Sequence, residues 1–417
     1  MFWFGAISVG LAAIAFAAGS DLTNHYFHLL IAYSPYLPLI VTPLGLALAV
    51  AITRRFFPGS QGSGIPQSIA ALGMQEAEAR NGVLSLRIAI GKILMTLLGL
   101  LSGASVGREG PTVQIGASIM HALSKLTRFP RREMGRGLIL AGAAAGIAAA
   151  FNTPLAGIVF AIEEMSRSFE QKTSGTVLTA VIIAGMTSLA LMGNYNYFGH
   201  TGAVLEFNQG WIAVPVCGFL GGLLGGLFSQ LLIASSRGLP GRLGVMMRER
   251  PAAFAALCGL VLALIGLASG STTYGTGYDE AKQILEGTQP MPETYGILKM
   301  LATLVSYISG IPGGIFAPSL AVGAGFGSNM APFLPYAPAG AVVILGMVAY
   351  FAGVVQAPIT AFVIVMEMTD NHDMLLPLMA ASLIASASSR LVCSKPLYKA
   401  MAEKFLAQAP PKTPPSS

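Results

Sequence analysis

The chain has 417 residues, of which 54% are hydrophobic and only 10% are charged. Soluble domains usually carry about 25% charged residues, so the composition excludes an ordinary soluble globular protein. The net charge of +6 does not indicate a nucleic-acid-binding protein, because the basic residues gather in short loops beside apolar segments, as in the cytoplasmic loops of membrane proteins.

Long stretches without Asp, Glu, Lys or Arg predict transmembrane helices. A helix needs about 20 apolar residues to cross the hydrocarbon core, and the longest stretch, Leu301–Met366, has room for more than one helix. Met1–Ala18 is as apolar as a signal peptide but lacks a basic start, so we expect a first transmembrane helix there. The other uncharged stretches are Gly137–Ile162, Thr173–Leu205, Phe207–Ser236, Pro251–Tyr278 and Met374–Ser389.

Three motifs of the first half recur in the second half in the same order, which indicates an internal repeat. The halves cover about residues 1–195 and 209–406 of a single transmembrane domain, and the Pro-rich residues 407–417 are expected to be a disordered tail. The matching segments are Gly62–Ile65 with Gly275–Tyr278, Gly107–Pro111 with Gly314–Pro318, and Phe151–Glu163 with Val355–Glu367.

The distribution of basic loops predicts that the repeat is inverted. Arg54 and Arg55 place the first glycine turn on the cytoplasmic side, whereas the basic loop Arg237–Arg250 precedes an outward span and places the second glycine turn outside. Inverted repeats with broken helices and a midplane site are a common transporter architecture. The predicted fold class is therefore an all-α polytopic membrane protein with an inverted-topology repeat and broken or re-entrant helices meeting at the midplane.

The segment Gly62-Ser63-Gly64-Ile65-Pro66 predicts a loop that leads into a helix N-terminus, because glycine permits tight turns and proline suits the first helical turn. The free N–H groups and the helix dipole make such an end an anion site, to which the Ser63 hydroxyl would add a donor. An ordinary glycine turn is the alternative interpretation.

The segment Gly107–Pro111 has the same pattern with two ionisable residues added. Charges at membrane depth are costly and usually functional. Arg108 would attract an anion, and Glu109 would occupy the anion site until protonation releases it, so one side chain serves as gate and proton acceptor. A charge pair in a surface loop is the alternative. In the repeat motif Gly314–Pro318, the backbone amides of Ile315 and Phe316 are candidates for binding the same anion.

Two further positions are candidates for proton transfer and ion binding. Glu163 and Glu164 end an apolar helix; Glu163 aligns with Glu367, whereas Glu164 aligns with Met368 and so has no acidic partner. An unpartnered acid at the inner end of a span is a candidate proton entry point, and a solvated helix end is the equally open alternative. Tyr398, at the start of a last short helix, indicates nothing by itself.

The segments GSGIP at 62–66, GREGP at 107–111 and GIFAP at 314–318, in this order, resemble the CLC family of chloride channels and chloride/proton antiporters. The resemblance covers the chain from Arg54 to Tyr398. It implies the CLC fold, a homodimer with one pore per subunit, and a multi-pass protein of the cell (inner) membrane with cytoplasmic termini. The chain shows no C-terminal regulatory domains of the cystathionine-synthase type, as expected for a prokaryotic member.

The resemblance also implies roles for individual residues. Glu109 would be the external gating glutamate, and Glu164 falls where antiporters of the family place an internal proton-transfer glutamate. A serine at position 63 favours chloride over nitrate or fluoride. The chloride-binding set would comprise the hydroxyls of Ser63 and Tyr398, the amides of Ile315 and Phe316, the backbone of Gly62, and Arg108 and Gly110 beside the gate.

The sequence therefore predicts secondary active chloride/proton antiport, with the chloride ion as substrate and with no cofactor, no metal, no enzyme activity and no nucleic-acid partner. A passive chloride channel of the same fold is the main alternative. A sodium-coupled solute transporter would explain the repeat but not Arg108 or the anion-seeking helix ends. A membrane-embedded enzyme would need a catalytic constellation that the sequence does not contain.

Overall fold

A computed structural model of the chain describes residues 2–74, 76–126, 132–166, 175–193, 197–199 and 201–407. Across these ranges the secondary structure is helical, with two isolated backbone bridges and no strand. The tail that was expected to be disordered lies, from residue 408 onward, outside the described residues.

The first half begins with a long helix. Near the end of this half, the short helix Pro154–Phe160 runs directly into a π-helical segment, Ala161–Ser166. The predicted first transmembrane helix extends further than Ala18, because it continues to Tyr33. The α-helices of this half are α1 (Phe2–Tyr33), α2 (Pro38–Phe56), α3 (Ile65–Gly73), α4 (Ala77–Asn81), α5 (Leu86–Leu101), α6 (Glu109–Leu126), α7 (Arg132–Phe151), α8 (Pro154–Phe160) and α9 (Gly175–Met192).

The second half repeats most of this order and adds a final helix. Short 3₁₀ turns cover Gln209–Ile212 and Ala331–Phe333. The α-helices are α10 (Ala213–Ser236), α11 (Gly241–Glu249), α12 (Pro251–Ala268), α13 (Tyr278–Glu286), α14 (Tyr295–Ile308), α15 (Phe316–Met330), α16 (Ala339–Val355), α17 (Pro358–Thr369), α18 (Leu375–Val392) and α19 (Leu397–Ala407).

Seven helices of the described residues are long and apolar enough to cross a membrane. Many of their large apolar side chains are exposed, for example Leu44, Met186 and Leu264. Exposure of this kind on long apolar helices with few charged residues is what a bilayer requires, since lipid tails solvate apolar side chains. The chain is therefore a multi-pass membrane protein.

The backbone shows the repeat at the level of single dihedral angles. Gly64 and Gly277, which precede α3 and α13, have φ of 98° and 86°. Asn152 and Gln356, which separate α7 from α8 and α16 from α17, have φ of 56° and 55°. Non-glycine residues rarely adopt positive φ, so the same unusual angle at both equivalent breaks shows that the two halves are built alike.

Two glutamates join the halves by capping each other's helices. Glu367 accepts hydrogen bonds from the amides of Leu155 (3.2 Å) and Ala156 (2.8 Å) at the start of α8. Glu163 accepts from the amides of Ile359 (3.1 Å) and Thr360 (2.6 Å) at the start of α17. A carboxylate at a helix N-terminus satisfies free N–H groups and the helix dipole, so this reciprocal pair holds α8 and α17 together.

Candidate functional site

Backbone hydrogen bonds bring the loops that precede α3, α6 and α15 to one place. The amide of Gly107 donates to the carbonyl of Gly314 at 2.8 Å, and the amide of Gly314 donates back at 2.7 Å. Gly62 is tied in the same way, because it donates to the Ile311 carbonyl at 3.1 Å and accepts from the Gly313 amide at 3.0 Å. The three motifs singled out in the sequence therefore meet at the N-termini of three helices from both halves.

Glu109 is the first residue of α6, and its carboxylate is fully buried at the N-terminus of α15. One carboxylate oxygen accepts a hydrogen bond from the Tyr278 hydroxyl at 2.6 Å. The other accepts from the amide of Ala317 at 3.5 Å, a long contact at the first turn of α15. The side chain thus occupies the place that an anion would take at this helix end.

The Arg108 side chain reaches α1 and Tyr197. Its guanidinium donates to the carbonyl of Ala17 at 2.9 Å and to the carboxylate of Asp21 at 2.8 Å, and it also bonds to the Tyr197 hydroxyl. Its centre lies 5.3 Å and 6.0 Å from the ring centroids of Tyr197 and Tyr278, within the range of cation–π attraction. Arg108 is 2% exposed, so its charge acts on the buried site.

Ser63 and Tyr398 lie beside these helix starts, Ser63 against Gly110 and Tyr398 against Phe316. Ser63 precedes α3, Tyr398 is the second residue of α19, and both are almost completely buried. The Tyr398 hydroxyl is within electrostatic reach of Ser63, but neither hydroxyl makes a hydrogen bond of acceptable geometry with any described residue. A buried hydroxyl without a partner costs about 1–3 kcal/mol, so both hydroxyls have capacity left to bind a further group.

Ile315 and Phe316 form the start of α15, as the motif predicted. The Phe316 ring is buried, and its centroid lies 5.9 Å from that of Tyr398 and 4.8 Å from that of Phe351. This packing fixes the backbone at the helix end next to Glu109 and Tyr398. Chloride contacts of the two amides stay a prediction.

The other two predicted binding residues have well-defined backbone roles. Gly110 packs against the Ser63 hydroxyl so closely that any side chain at position 110 would clash with it. The amide of Gly62 is already bonded to Ile311, and its carbonyl accepts from Gly313. Gly62 therefore holds the loop in this arrangement, and a chloride contact of its amide would require that amide to change partner.

Two buried lysines, which the sequence analysis did not identify as site residues, support the glycine turns. Lys92 donates from Nζ to the Gly62 carbonyl at 2.8 Å, and Lys299 donates to the carbonyls of Thr273, Tyr274 and Gly275 at 3.0–3.1 Å. Both lysines are fully buried. Lys92 and Lys299 are the same number of positions apart as Gly107 and Gly314. The two lysines are therefore equivalent in the repeat, and the sequence alone carries this signal.

Glu164 lies within the π-helical segment Ala161–Ser166 and is 3% exposed. The Tyr398 hydroxyl is within electrostatic reach of both Glu164 and Glu109. Glu163, the neighbour of Glu164, points elsewhere and caps α17.

Two cavities with different linings border the site. One, of about 670 Å³, is lined by Arg108, Tyr197 and Tyr278. The other, of about 150 Å³, is lined by Ser63, Tyr307 and other residues near α19. The described residues contain no group of three or more His, Cys, Asp or Glu that could hold a metal ion.

Comparison with known proteins agrees with this arrangement. The sequence profile described as voltage gated chloride channel matches residues 45–390. The fold is similar to that of a slow cyanobacterial Cl⁻/H⁺ antiporter, with a TM-score of 0.82, 27% identity and 98% of each chain covered.

Two other solved structures share the fold at lower identity. A CLC-type fluoride/proton antiporter has a TM-score of 0.79 and 23% identity over 95% of this chain and 97% of its own. A eukaryotic CLC transporter has a TM-score of 0.77 and 22% identity over 96% of this chain and 73% of its own. With the profile match covering most of the sequence, the chain belongs to the CLC family.

Proposed function

We propose that this CLC protein exchanges chloride for protons across the membrane, with Glu109 as the external gate and Glu164 as the internal proton acceptor. The observation that carries the proposal is the pair of buried, unpartnered hydroxyls of Ser63 and Tyr398, next to a helix end that a carboxylate occupies. Donors without an acceptor, beside an occupied anion position, are the features of a site for a second anion.

In this proposal the Glu109 carboxylate and chloride compete for the N-terminus of α15. Ionised Glu109 accepts hydrogen bonds from Tyr278 and Ala317 and closes the outer side. A protonated side chain loses most of its attraction to the helix end, so protonation lets it swing away and opens the position to chloride. Chloride entering from inside would be held by the Ser63 and Tyr398 hydroxyls and would displace Glu109 in turn.

The buried charges around the site favour an anion over a cation. Arg108, Lys92 and Lys299 are each at most 2% exposed, and Lys92 has only carbonyl oxygens as hydrogen-bond acceptors. The partial positive charges of the three helix N-termini that meet here also attract an anion. A sodium ion at the same place would be repelled by these positive charges, which disfavours a sodium-coupled solute transporter.

Two observations favour antiport over a passive channel. Glu164 is a buried acid on the inner side of Tyr398, where a channel has no use for a titratable group. The similar structure with 27% identity is described as a Cl⁻/H⁺ antiporter. Exchange of two ions needs no prosthetic group and no enzyme chemistry, and we propose neither for this chain.

The resemblance to the family further supports a homodimer with a separate pore in each subunit, located in the inner membrane of a prokaryote with both termini in the cytoplasm. The three helix ends that meet at the site all belong to one chain, so one chain suffices for one pore. Cross-linking in membranes would test the dimer, and labelling of single cysteines from one side would test the orientation.

The experiment that tests the proposal is ion flux in proteoliposomes containing the purified protein. Under an outward chloride gradient, with the voltage clamped by valinomycin and potassium, the intact protein moves protons against their own gradient. Glu109→Gln, which cannot bind and release the proton, abolishes proton movement and retains chloride flux. Asp279→Asn is the matched control. It replaces an exposed acid that lines the 670 Å³ cavity beside Arg108, and it keeps the coupling of chloride to protons.

Chloride flux without proton movement in the intact protein would establish the passive channel instead. Undiminished proton movement in the Glu109→Gln variant would remove the gate role, whatever the chloride flux. A requirement for sodium would point to the solute transporter.

A further inference from the structure

Tyr278 donates a hydrogen bond directly to the Glu109 carboxylate. Neither the sequence motifs nor the comparisons give this tyrosine a role. Its hydroxyl is 2.6 Å from the Glu109 carboxylate, and both side chains are buried. Hydrogen bonds between a neutral O–H and a carboxylate are short and about twice as strong as neutral ones. The bond therefore contributes substantially to holding the gate where it lies.

The position of the Tyr278 hydroxyl is fixed from both ends. The residue begins α13, directly after Gly277, whose φ of 86° sets the direction in which the helix starts. Its ring is stacked on that of Tyr197, with centroids 4.7 Å apart and planes at 22°, and it also contacts Phe198. Arg108 lies over the same ring at 6.0 Å. A hydroxyl held in this way needs no reorganisation to bind the carboxylate.

Tyr278 also stands at the boundary between the gate and the outer side. It lines the 670 Å³ outer cavity together with Arg108 and Tyr197, whereas Glu109 is fully buried behind it. The Tyr197 hydroxyl in turn donates to the Ala150 carbonyl at 3.0 Å, which anchors the stack to α7. Any outward movement of the carboxylate must first break its bond to Tyr278.

We infer that Tyr278 is a positioning residue that latches the ionised Glu109 carboxylate in its closed position and thereby slows exchange. The inference rests on the proposed role of Glu109 as gate. Because the carboxylate competes with chloride for the end of α15, a weaker latch leaves the position to chloride more often. Loss of the latch therefore accelerates exchange, most at low chloride concentration.

The test is Tyr278→Phe, which removes the hydroxyl and retains the ring stack, measured by chloride exchange in proteoliposomes. A hydrogen bond to a charged group is worth enough to expect exchange about tenfold faster at low chloride. The chloride concentration for half-maximal exchange falls. Tyr274→Phe is the matched control, because that buried hydroxyl in the same loop bonds only to the Ala263 carbonyl at 3.2 Å and its loss leaves exchange within about twofold.

The same substitution in a Glu109→Ala background separates a latch from a structural effect. Without the carboxylate there is nothing to latch, so Tyr278→Phe no longer changes chloride flux. Equal acceleration in both backgrounds, or an unchanged rate in the intact background, would overturn the inference. The proton signal of the intact protein decides the proposed antiport separately: uncoupled chloride flux that Tyr278→Phe still accelerates would refute antiport and leave the latch standing.

Discussion

The two glycine turns of the repeat share a scaffold and differ in chemistry. Each turn leads through a positive-φ glycine into a helix, and each has a buried lysine bonded to its carbonyls, Lys92 in the first half and Lys299 in the second. The next helix starts differ: Glu109 opens α6, whereas its repeat partner Phe316 opens α15. One half supplies a titratable carboxylate, and the other supplies the helix end that receives it.

The difference separates two kinds of feature: those present in both halves and those present in only one half. Features that occur in both halves, such as the left-handed breaks at Asn152 and Gln356, fix the backbone. Features found in one half, such as the acids Glu109 and Glu164, carry the proposed transport. The comparison gives a rule for the acids that mutations can test: acids with an acidic repeat equivalent, Glu163 and Glu367, stabilise the fold, and acids without one, Glu109 and Glu164, carry the exchange.

The largest effect is expected at Glu164, the acid without a repeat partner. Glu164→Gln abolishes proton movement and retains chloride flux, because the amide cannot take up a proton from the inner side. Paired proton and chloride flux measurements in proteoliposomes check this.

The matched controls for Glu164 are the partnered acids. Glu163→Gln and Glu367→Gln keep coupling but each lower the free energy of unfolding by about 1 kcal/mol, because a helix N-terminus loses its charged cap. Thermal unfolding measures that loss. Loss of coupling in Glu367→Gln, with Glu164→Gln still coupled, would break the rule outright.

Much of this site was predictable from the sequence. The motifs at Gly62, Gly107 and Gly314 predicted three helix N-termini, and α3, α6 and α15 begin there. The repeat predicted that equivalent motifs come from opposite halves, and their loops are hydrogen-bonded to each other. These features depend on local backbone chemistry, which a short segment specifies.

Long-range side-chain contacts could not be predicted. Tyr278 and Glu109 are 169 positions apart, and nothing in either segment specifies that a phenol reaches that carboxylate. The alignment of Glu163 with Glu367 showed that both are acids, but their reciprocal caps depend on how α8 and α17 pack. Such contacts follow from the tertiary arrangement and not from local sequence.

An intermediate effect, on chloride affinity, is expected at the two buried lysines. The lysine of the first glycine turn should matter more than the lysine of the second. Lys92 bonds to the Gly62 carbonyl, next to Ser63, so Lys92→Met weakens chloride binding about tenfold because the loop that holds Ser63 loses this hydrogen bond. Lys299→Met, at the second glycine turn, changes chloride affinity less than about threefold, because Lys299 bonds to the carbonyls of residues 273–275 and not to the loop of Ser63. Calorimetric titration with chloride checks both variants, and equal losses would contradict an asymmetric site.

The smallest effect is expected at the unpartnered hydroxyls. Ser63→Ala and Tyr398→Phe each reduce chloride affinity about fivefold, corresponding to one lost hydrogen bond. Neither variant lowers thermal stability in chloride-free buffer, because the removed hydroxyl has no partner among the described residues. A loss of stability with unchanged affinity would show that these groups serve the fold and not the ion.

The most direct test of the central claim, that Glu109 occupies a position made for chloride, is a crystal structure of Glu109→Ala grown in bromide. Bromide scatters anomalously and replaces chloride in such sites. The account predicts one anomalous peak beside the hydroxyls of Ser63 and Tyr398, and a second at the start of α15 where the carboxylate lay. Diffraction data of adequate quality with no peak at either place would contradict it.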